Sequence, residues 1–395
     1  MTEPKLRFKD SEKRKFPEWE EKKLGEIALC LDSQRVPVEK NRREEGEIPY
    51  YGANGVQGYV KNWLFDGEYV LLAEDGGHYN EYSSKPIAQF IQGKAWVNNH
   101  AHIIEADDKN NTKFLFYSLE HKDIRKYING STRGKLTQGD MWKILLYIPA
   151  LPEQQKIADF LFAYDRQIDI QSQRVEAMRT RKKGLLQKIF SREIRFKDDQ
   201  GKDYPAWKEI KLRSIVHRVT RKNRNLITKR PLTISAELGL IDQEEFFSKK
   251  IASDNLSNYY LLHKGEFAFN RSSATGYPFG AIKRLNRYES GAISTLYICF
   301  SVDNSDYSDW LQHFFESTYW HKEAYKVCCE GARNHGLLNI SVDDFFSMKL
   351  YLPTLPEQQK IADFLTAIDT QIEVEEKRLE TMKTIKKGLL QQMFI

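Results

Sequence analysis

LPEQQKIADFLFAYDRQIDIQSQRVEAMRTRKKGLLQKIF, running from Leu151 to Phe190, returns 204 residues later as LPEQQKIADFLTAIDTQIEVEEKRLETMKTIKKGLLQQMF, Leu355 to Phe394. Without a gap, 26 of the 40 aligned positions are identical. Identity this dense at so long a period means that one structural unit is used twice. Each copy predicts a single long helix. Pro falls in the first turn, where its missing N–H costs nothing, Glu follows near the positive end of the helix dipole, and no later Pro intervenes.

The apolar spacing fixes the type of helix. In the first copy Ile157, Tyr164, Met178 and Leu185 share one heptad position, and Leu161, Ile168, Val175 and Ile189 the other. In the second, Ile361, Ile368, Met382 and Leu389 alternate with Leu365, Ile372, Leu379 and Met393. A two-position seam repeating every seven residues is the pattern of a coiled coil. Gln171 and Lys182 break the first seam and Glu375 and Lys386 the second, at matching places, so polar layers that set register are expected. Two stripes this narrow are read as packing on each other rather than as unrelated surface helices. A pseudo-twofold relation between the repeats makes the pair antiparallel, a rod of about 60 Å at ~1.5 Å per residue.

A second match precedes each large segment. RFKDSEKRKFPEWEEKKLGEI from Arg7 aligns with RFKDDQGKDYPAWKEIKLRSI from Arg195, putting Pro17 over Pro205, Trp19 over Trp207 and Leu24 over Leu212. The offset here is 188, so the second large segment is 16 residues longer than the first. The expected order is a lead-in (1–16), a globular segment (17–150), a central helix (151–190), a linking lead-in (191–204), a second globular segment (205–354) and a C-terminal helix (355–395). The second lead-in directly follows the first helix, so by symmetry Arg7 to Asp10 should lie near the end of the second. Short β-rich runs between turn-formers, GEYVLLA and AHIIEA in the first segment, ISAELGLI, EFAFN, GAIKRL and STLYICFSV in the second, predict mixed α/β domains. Helices are expected near Lys113 to Ile128 and Asp309 to Val327. The fold class is α+β, with two α/β domains separated by an antiparallel pair of long helices.

The 395 residues are 41% hydrophobic and 29% charged, enough for compact domains rather than a disordered chain. No apolar run reaches a membrane span, and the opening MTEPKLRFKDSEKRKF is polar, so a cytoplasmic protein without membrane contact is expected. Cys30, Cys299, Cys328 and Cys329 show no zinc-knuckle or redox spacing, and the adjacent pair reads as packed thiols. A net charge of +6 suits a phosphate-facing surface without requiring one.

Several polar stretches are candidates for contact with nucleic acid. YYGANGVQGYV reads as a hairpin or loop that Gly permits, in which Tyr50, Tyr51, Asn54 and Gln57 are placed to face base edges and phosphates. In WVNNHAHII, His100 and His102 lack a third ligand at metal spacing and read as a satisfied structural pair. Asn98 and Asn99 are better candidates there, since an amide can pair with two edge groups of adenine. Asn270, Arg271, Ser272, Ser273 and Thr275 form the richest polar loop of the second segment. Arg133 and Lys135 in GSTRGK, and Arg333, Asn334 and His335 in GARNHG, follow a helix and suggest phosphate or base contact, with a helix cap as the plainer role.

Chemistry of the chain's own is not visible. No Walker loop, His-Glu-x-x-His or Gly-x-Ser-x-Gly occurs, and no two prolines are adjacent, which excludes an Asn-Pro-Pro-Tyr motif. Glu21 with Lys23 and Glu209 with Lys211 repeat an acid–x–Lys spacing seen in nucleases, but within charge runs that read as solvated faces. The expectation is no catalytic residue and no metal site. A stand-alone DNA-modifying enzyme and a coiled-coil scaffold that reads no DNA are the rival readings.

The twice-used LPEQQKIADFL, the closing KKGLLQ and Phe, and the lead-in FPEWEEKKLGEI with its echo YPAWKEIKLRSI together resemble the specificity subunit of type I restriction-modification systems, over nearly the whole chain. The resemblance implies a non-catalytic, DNA-binding protein of host defence, in which two target-recognition domains alternate with two spacer helices. It implies that each domain reads one half of a bipartite site in double-stranded DNA, and that the helices set the spacing and dock two methyltransferase subunits. Restriction subunits would complete the nuclease. S-adenosylmethionine, Mg²⁺ and ATP would belong to those partners, with no cofactor held by this chain.

Overall fold

The computed structural model describes residues 3–130, 134–236, 238–247, 255–273, 276–328, 338 and 340–394, apart from the side chains at 305 and 306. The chain forms two compact units that cut across its linear order. Unit 1 takes residues 1–173 and 376–395, and unit 2 takes 174–375. Each long helix therefore contributes to both: the central helix Leu151–Phe190 and the C-terminal helix Leu355–Met393.

Unit 1 contains β1 (Glu20–Lys23), β2 (Ala28–Cys30), β3 (Ile48–Gly52), β4 (Gly55–Val60), β5 (Phe65–Ala73), β6 (Ala88–Val97), β7 (Ala101–Ala106) and β8 (Leu145–Ile148). Six of these form a sheet of order β2-β7-β5-β6-β3-β4, in which only the β3–β6 pair is parallel. Side chains alternate between faces along a strand. On β5, Val70 and Leu72 accordingly enter one apolar core and Leu71 another, so both faces of the sheet are covered. The helix Thr112–Leu119 supplies Phe114, Leu115 and Phe116 to the first core. It is shorter than the sequence predicts. Asp123 accepts a hydrogen bond from the Arg125 backbone N–H, and this local turn competes with further helical bonding.

Unit 2 contains β9 (Lys208–Lys211), β10 (Val216–Arg218), β11 (Leu232–Ser235), β12 (Gly239–Asp242), β13 (Tyr260–His263), β14 (Phe267–Asn270), β15 (Ala281–Arg284), β16 (Ser290–Ile293), β17 (Ile298–Val302) and β18 (Lys349–Leu352). A four-stranded sheet, β10-β17-β14-β15, is joined by three separate pairs, β11–β12, β13–β16 and β9–β18. Helices Ser305–Glu316 and His321–Val327 replace the single predicted stretch. The repeated acid–x–Lys residues lie on β1 and β9, whose cross-strand partners on β8 and β18 are mostly apolar; Glu209 is 2.6 Å from Lys349.

The two long helices run antiparallel in each unit. In unit 1 Ile157 and Leu161, from the start of the central helix, share a core with Leu390 and Met393 from the end of the C-terminal one. In unit 2 the ends exchange roles, with Leu186, Ile189 and Phe190 beside Ile361 and Leu365. Val175, Ile372 and Leu379 are buried, and Tyr164, Ile168, Met178, Ile368 and Met382 half-buried. One part of the predicted seam shifts. Leu186 and Leu390 are buried, whereas Leu185 and Leu389 stay partly exposed, because the last turns also pack on the globular part and the apolar stripe widens there.

Three of the four polar breaks in the seams, Lys182, Glu375 and Lys386, are ion-pair nodes. Lys386 lies 2.9 Å from Glu120 and 2.8 Å from Asp165 in unit 1. Lys182 lies 2.6 Å from Glu316 and 2.5 Å from Asp369 in unit 2. Burial disfavours each ammonium, and the paired carboxylates outweigh it, so both lysines titrate above free lysine. Gln171 is buried, and Glu375 pairs with Arg174 at 2.8 Å.

The lead-ins grip the helix starts in the same way. Arg7 donates to both carboxylate oxygens of the fully buried Glu153 at 3.1 and 2.8 Å, and Trp19 Nε1 adds a third bond at 3.3 Å. Arg195 and Trp207 do the same to Glu357 at 2.7, 2.9 and 3.1 Å. Leu6 N–H donates to the Gln392 carbonyl at 2.9 Å, which places the N-terminal lead-in beside the end of the C-terminal helix, as its symmetry requires.

Candidate nucleic-acid interface

A cleft of about 950 Å³ opens in unit 1. Its walls are the segment around Pro37–Arg43, the β3–β4 hairpin, the Asp75–Gly76 turn and the Asn98–His100 turn between β6 and β7. The hairpin turns through Ala53 and Asn54, with Gly55 at φ +129°, a conformation that L side chains rarely adopt. The parallel pairing of Tyr50 with Trp96 and Tyr51 with Val97 then carries the next residue, Asn98, under the hairpin. Its N–H donates to the Tyr51 carbonyl at 3.0 Å.

The wall chemistry is mixed. Arg43 lies 3.8 Å over the Tyr50 ring and donates to the Val38 carbonyl at 3.0 Å. Arg42 is exposed and 3.6 Å from Glu39. His100 Nδ1 lies 3.0 and 3.1 Å from the two oxygens of Asp75. Arg42, Arg43, Asp75 and His100 were not singled out as contacts by the sequence. The arginines sit in a charge run that looks like any solvated face, and only the tertiary fold brings Asp75 to His100.

Five sequence candidates line this cleft: Tyr50, Asn54, Gln57, Asn98 and Asn99. One reading needs correction. Tyr50 is 1% exposed, with its hydroxyl at Val38, so its ring supports the cleft rather than facing a ligand. Tyr51 is half-buried against the second core, and burial raises its pKa. Asn54 Nδ2 donates to the Gly76 carbonyl at 2.9 Å. Gln57 and Asn99 are exposed, and Asn98 is buried. Lys135 is exposed, pairs with Glu74 at 3.3 Å and does not line the cleft.

In unit 2 the candidates behave differently. Ser272 and Ser273 are exposed beyond β14, and Asn270 Oδ1 caps the Ser272 N–H at 3.0 Å. Arg271 is a correction, because its guanidinium donates to the carbonyls of Ile340 (3.0 Å) and Leu296 (3.2 Å) and ties two loops together. Two of its five N–H donors are thereby committed to holding loops rather than to a ligand. Arg133, Thr275, Arg333, Asn334 and His335 lie outside the described residues, as does Cys329.

His102 is the satisfied structural histidine that its sequence suggests. Nδ1 faces Asp32 at 2.5 Å and Nε2 the Leu136 carbonyl at 2.9 Å. Both neighbours are acceptors, so the ring donates twice and is held as the cation. Burial works against that charge, but Asp32, Cys30 and the Leu136 carbonyl outweigh it and push the pKa up to about 9. Cys30, Asp32 and His102 bring potential ligand atoms within 4.8 Å of one another, a grouping the spacing did not reveal. Arg35 and the Leu136 carbonyl already use two of its faces. Because the folded pKa lies above the unfolded value of roughly 6.5, the stabilisation is complete below pH ~6.5 and is lost as pH rises through about 9. Thermal unfolding from pH 6 to 10 should show a loss on the order of 3 kcal/mol that His102→Asn lacks; parallel curves for parent and variant would contradict this.

Comparison with known proteins decides the family. The profile described as "Type I restriction modification DNA specificity domain" matches residues 17–178 and again 206–384. The chain belongs to this family. Among its relatives, a type I restriction enzyme specificity subunit of Methanocaldococcus jannaschii is 23% identical over 97% of this chain and 94% of its own length. A candidate type I restriction enzyme specificity subunit of Haemophilus influenzae is 39% identical over 37% of each chain. The Escherichia coli EcoprrI specificity subunit is 28% identical over 40% of this chain and 38% of its own. The matches to these last two thus span little over a third of the relatives' length. A solved S subunit of a type I restriction-modification system from M. genitalium shares the fold, with a TM-score of 0.61 at 15% identity, covering 100% of this chain and 99% of that one. The specificity-family profile thus falls twice on the chain, once over each globular segment with part of its helix.

Proposed function

We propose that this chain is the DNA sequence-specificity subunit of a type I restriction-modification complex and carries no catalytic step itself. The double match of the specificity-family profile carries this reading, because a bipartite site needs two readers in one chain. Each globular part reads one half-site, and joining them makes the second encounter intramolecular, so two modest readers give strong overall binding. Two methyltransferase subunits and the restriction subunits are the protein partners, and S-adenosylmethionine, Mg²⁺ and ATP act in those partners. The complex works on cytoplasmic DNA. The described residues contain no helix long and apolar enough to cross a membrane, which is compatible with that location.

Sequencing methylated bases in a host that carries this chain with its methyltransferase tests the proposal. A two-part motif with an unread gap is expected, and absence of any chain-dependent methylation would refute it. Within this reading Arg42 and Arg43 supply positive charge at the unit 1 cleft. Arg42→Ala with Arg43→Ala should weaken DNA binding by the complex roughly tenfold and flatten its salt dependence by about two phosphate contacts. An unchanged salt slope in a filter-retention assay would remove both residues from the interface.

A further inference from the structure

Asn98 is 4% exposed, and both ends of its side-chain amide are hydrogen-bonded at the cleft wall. Its Oδ1 accepts the His100 backbone N–H at 2.8 Å, and its Nδ2 donates to Gln57 Oε1 at 3.3 Å. The first bond decides the second. A backbone N–H can only donate, so Oδ1 must face His100 and the amino group must face Gln57. Gln57 is thereby oriented with its oxygen held inward. Among the described residues its Nε2 finds no hydrogen-bond partner, and it lies over Gly52, where a Cβ would stand 2.1 Å away. Gln57 is exposed and lines the cleft.

We propose that Asn98 is a positioning residue for specificity: by fixing the Gln57 amide it makes Nε2 the group offered to DNA, so that one position of the half-site read by unit 1 is selected for an acceptor edge. In the major groove the exocyclic acceptors are guanine O6 and thymine O4, whereas the exocyclic amino groups of adenine and cytosine would face a donor; N7 accepts on both purines and does not separate them. This inference rests on the specificity-subunit reading. It adds the polarity of one contact and the buried residue that sets it. Gly52 takes part because any side chain there would displace the Gln57 amide.

The test uses the full chain with its methyltransferase and reads the methylated motif. In Asn98→Asp at pH 8, the carboxylate still accepts from His100 but can only accept from Gln57, so the amide turns over and presents its oxygen. Gln57→Glu, a surface replacement of the same shape, presents an acceptor without depending on Asn98. Both variants should move preference at one base position, by roughly tenfold, from guanine or thymine toward cytosine or adenine, leaving the other half-site unchanged. Should Asn98→Asp fail to fold, Gln57→Glu alone decides. An unchanged motif from an active Gln57→Glu complex overturns this inference and leaves the specificity role standing, while a parent complex that methylates nothing overturns both.

Discussion

Glu153→Ala should destabilise unit 1 by about 3–5 kcal/mol, the cost typical of removing one partner from a buried ion pair. The carboxylate is fully buried and accepts from Arg7 and Trp19 together, while Arg7 also donates to the carbonyls of Phe16 and Pro17. Removing it takes the buried partner from Arg7, which keeps only Glu3 at 2.8 Å and the two carbonyls, and strands the Trp19 indole N–H where the lead-in meets the helix start. Glu357→Ala should cost unit 2 a similar amount through Arg195 and Trp207. Urea unfolding followed by tryptophan fluorescence measures both. A double-mutant cycle of Glu153→Ala with Arg7→Ala should show strong coupling, because the two groups are direct partners across the lead-in and the helix start. Additive losses would mean that the grip contributes through packing alone.

Lys386→Ala should cost about 2–4 kcal/mol at pH 7, and most of that deficit should vanish as pH falls toward 4. Without the ammonium, Glu120 and Asp165 face each other at 10% and 26% side-chain exposure, with Tyr117 also donating to Asp165. Two adjacent carboxylates raise one another's pKa. The variant therefore binds protons more readily when folded than unfolded and gains stability relative to the parent on acidification. Lys182→Ala at Glu316 and Asp369 should show a smaller deficit, because His313 Nδ1 stays 3.6 and 3.8 Å from the same two carboxylates. A deficit that stays constant between pH 7 and 4.5 would show that the lysine acts through its hydrocarbon stem.

Both nodes were half legible in the sequence. The heptad pattern marks Lys182 and Lys386 as breaks, and each does pair with a carboxylate on the other long helix, but only the fold identifies Glu120 and Glu316 as partners, since these lie on unrelated stretches of the two globular segments. The recurrence of Arg, Trp and Glu at fixed offsets could be read from the repeat, though not that they meet. The same limit explains the site. Amide residues in YYGANGVQGYV and WVNNHAHII stand out by type, and β3–β6 pairing gathers them into one cleft. Exposure is not written in residue type, however, so Tyr50 and Arg271 looked like readers when one is core and the other a strap between loops. At Leu185 and Leu389 the strict seven-residue period gives way because the helix ends serve two packing surfaces at once.

The allotment of residues 376–395 to unit 1 has a consequence for biosynthesis. When the ribosome has made the first 173 residues, the apolar floor that will receive Leu390, Met393 and Phe394 is still without them. At roughly 5–20 residues per second, the intervening 202 residues of unit 2 take about 10–40 s to emerge. Unit 1, translated ahead of unit 2, is thus completed after it, and during that interval its open apolar floor is a surface that a chaperone would cover.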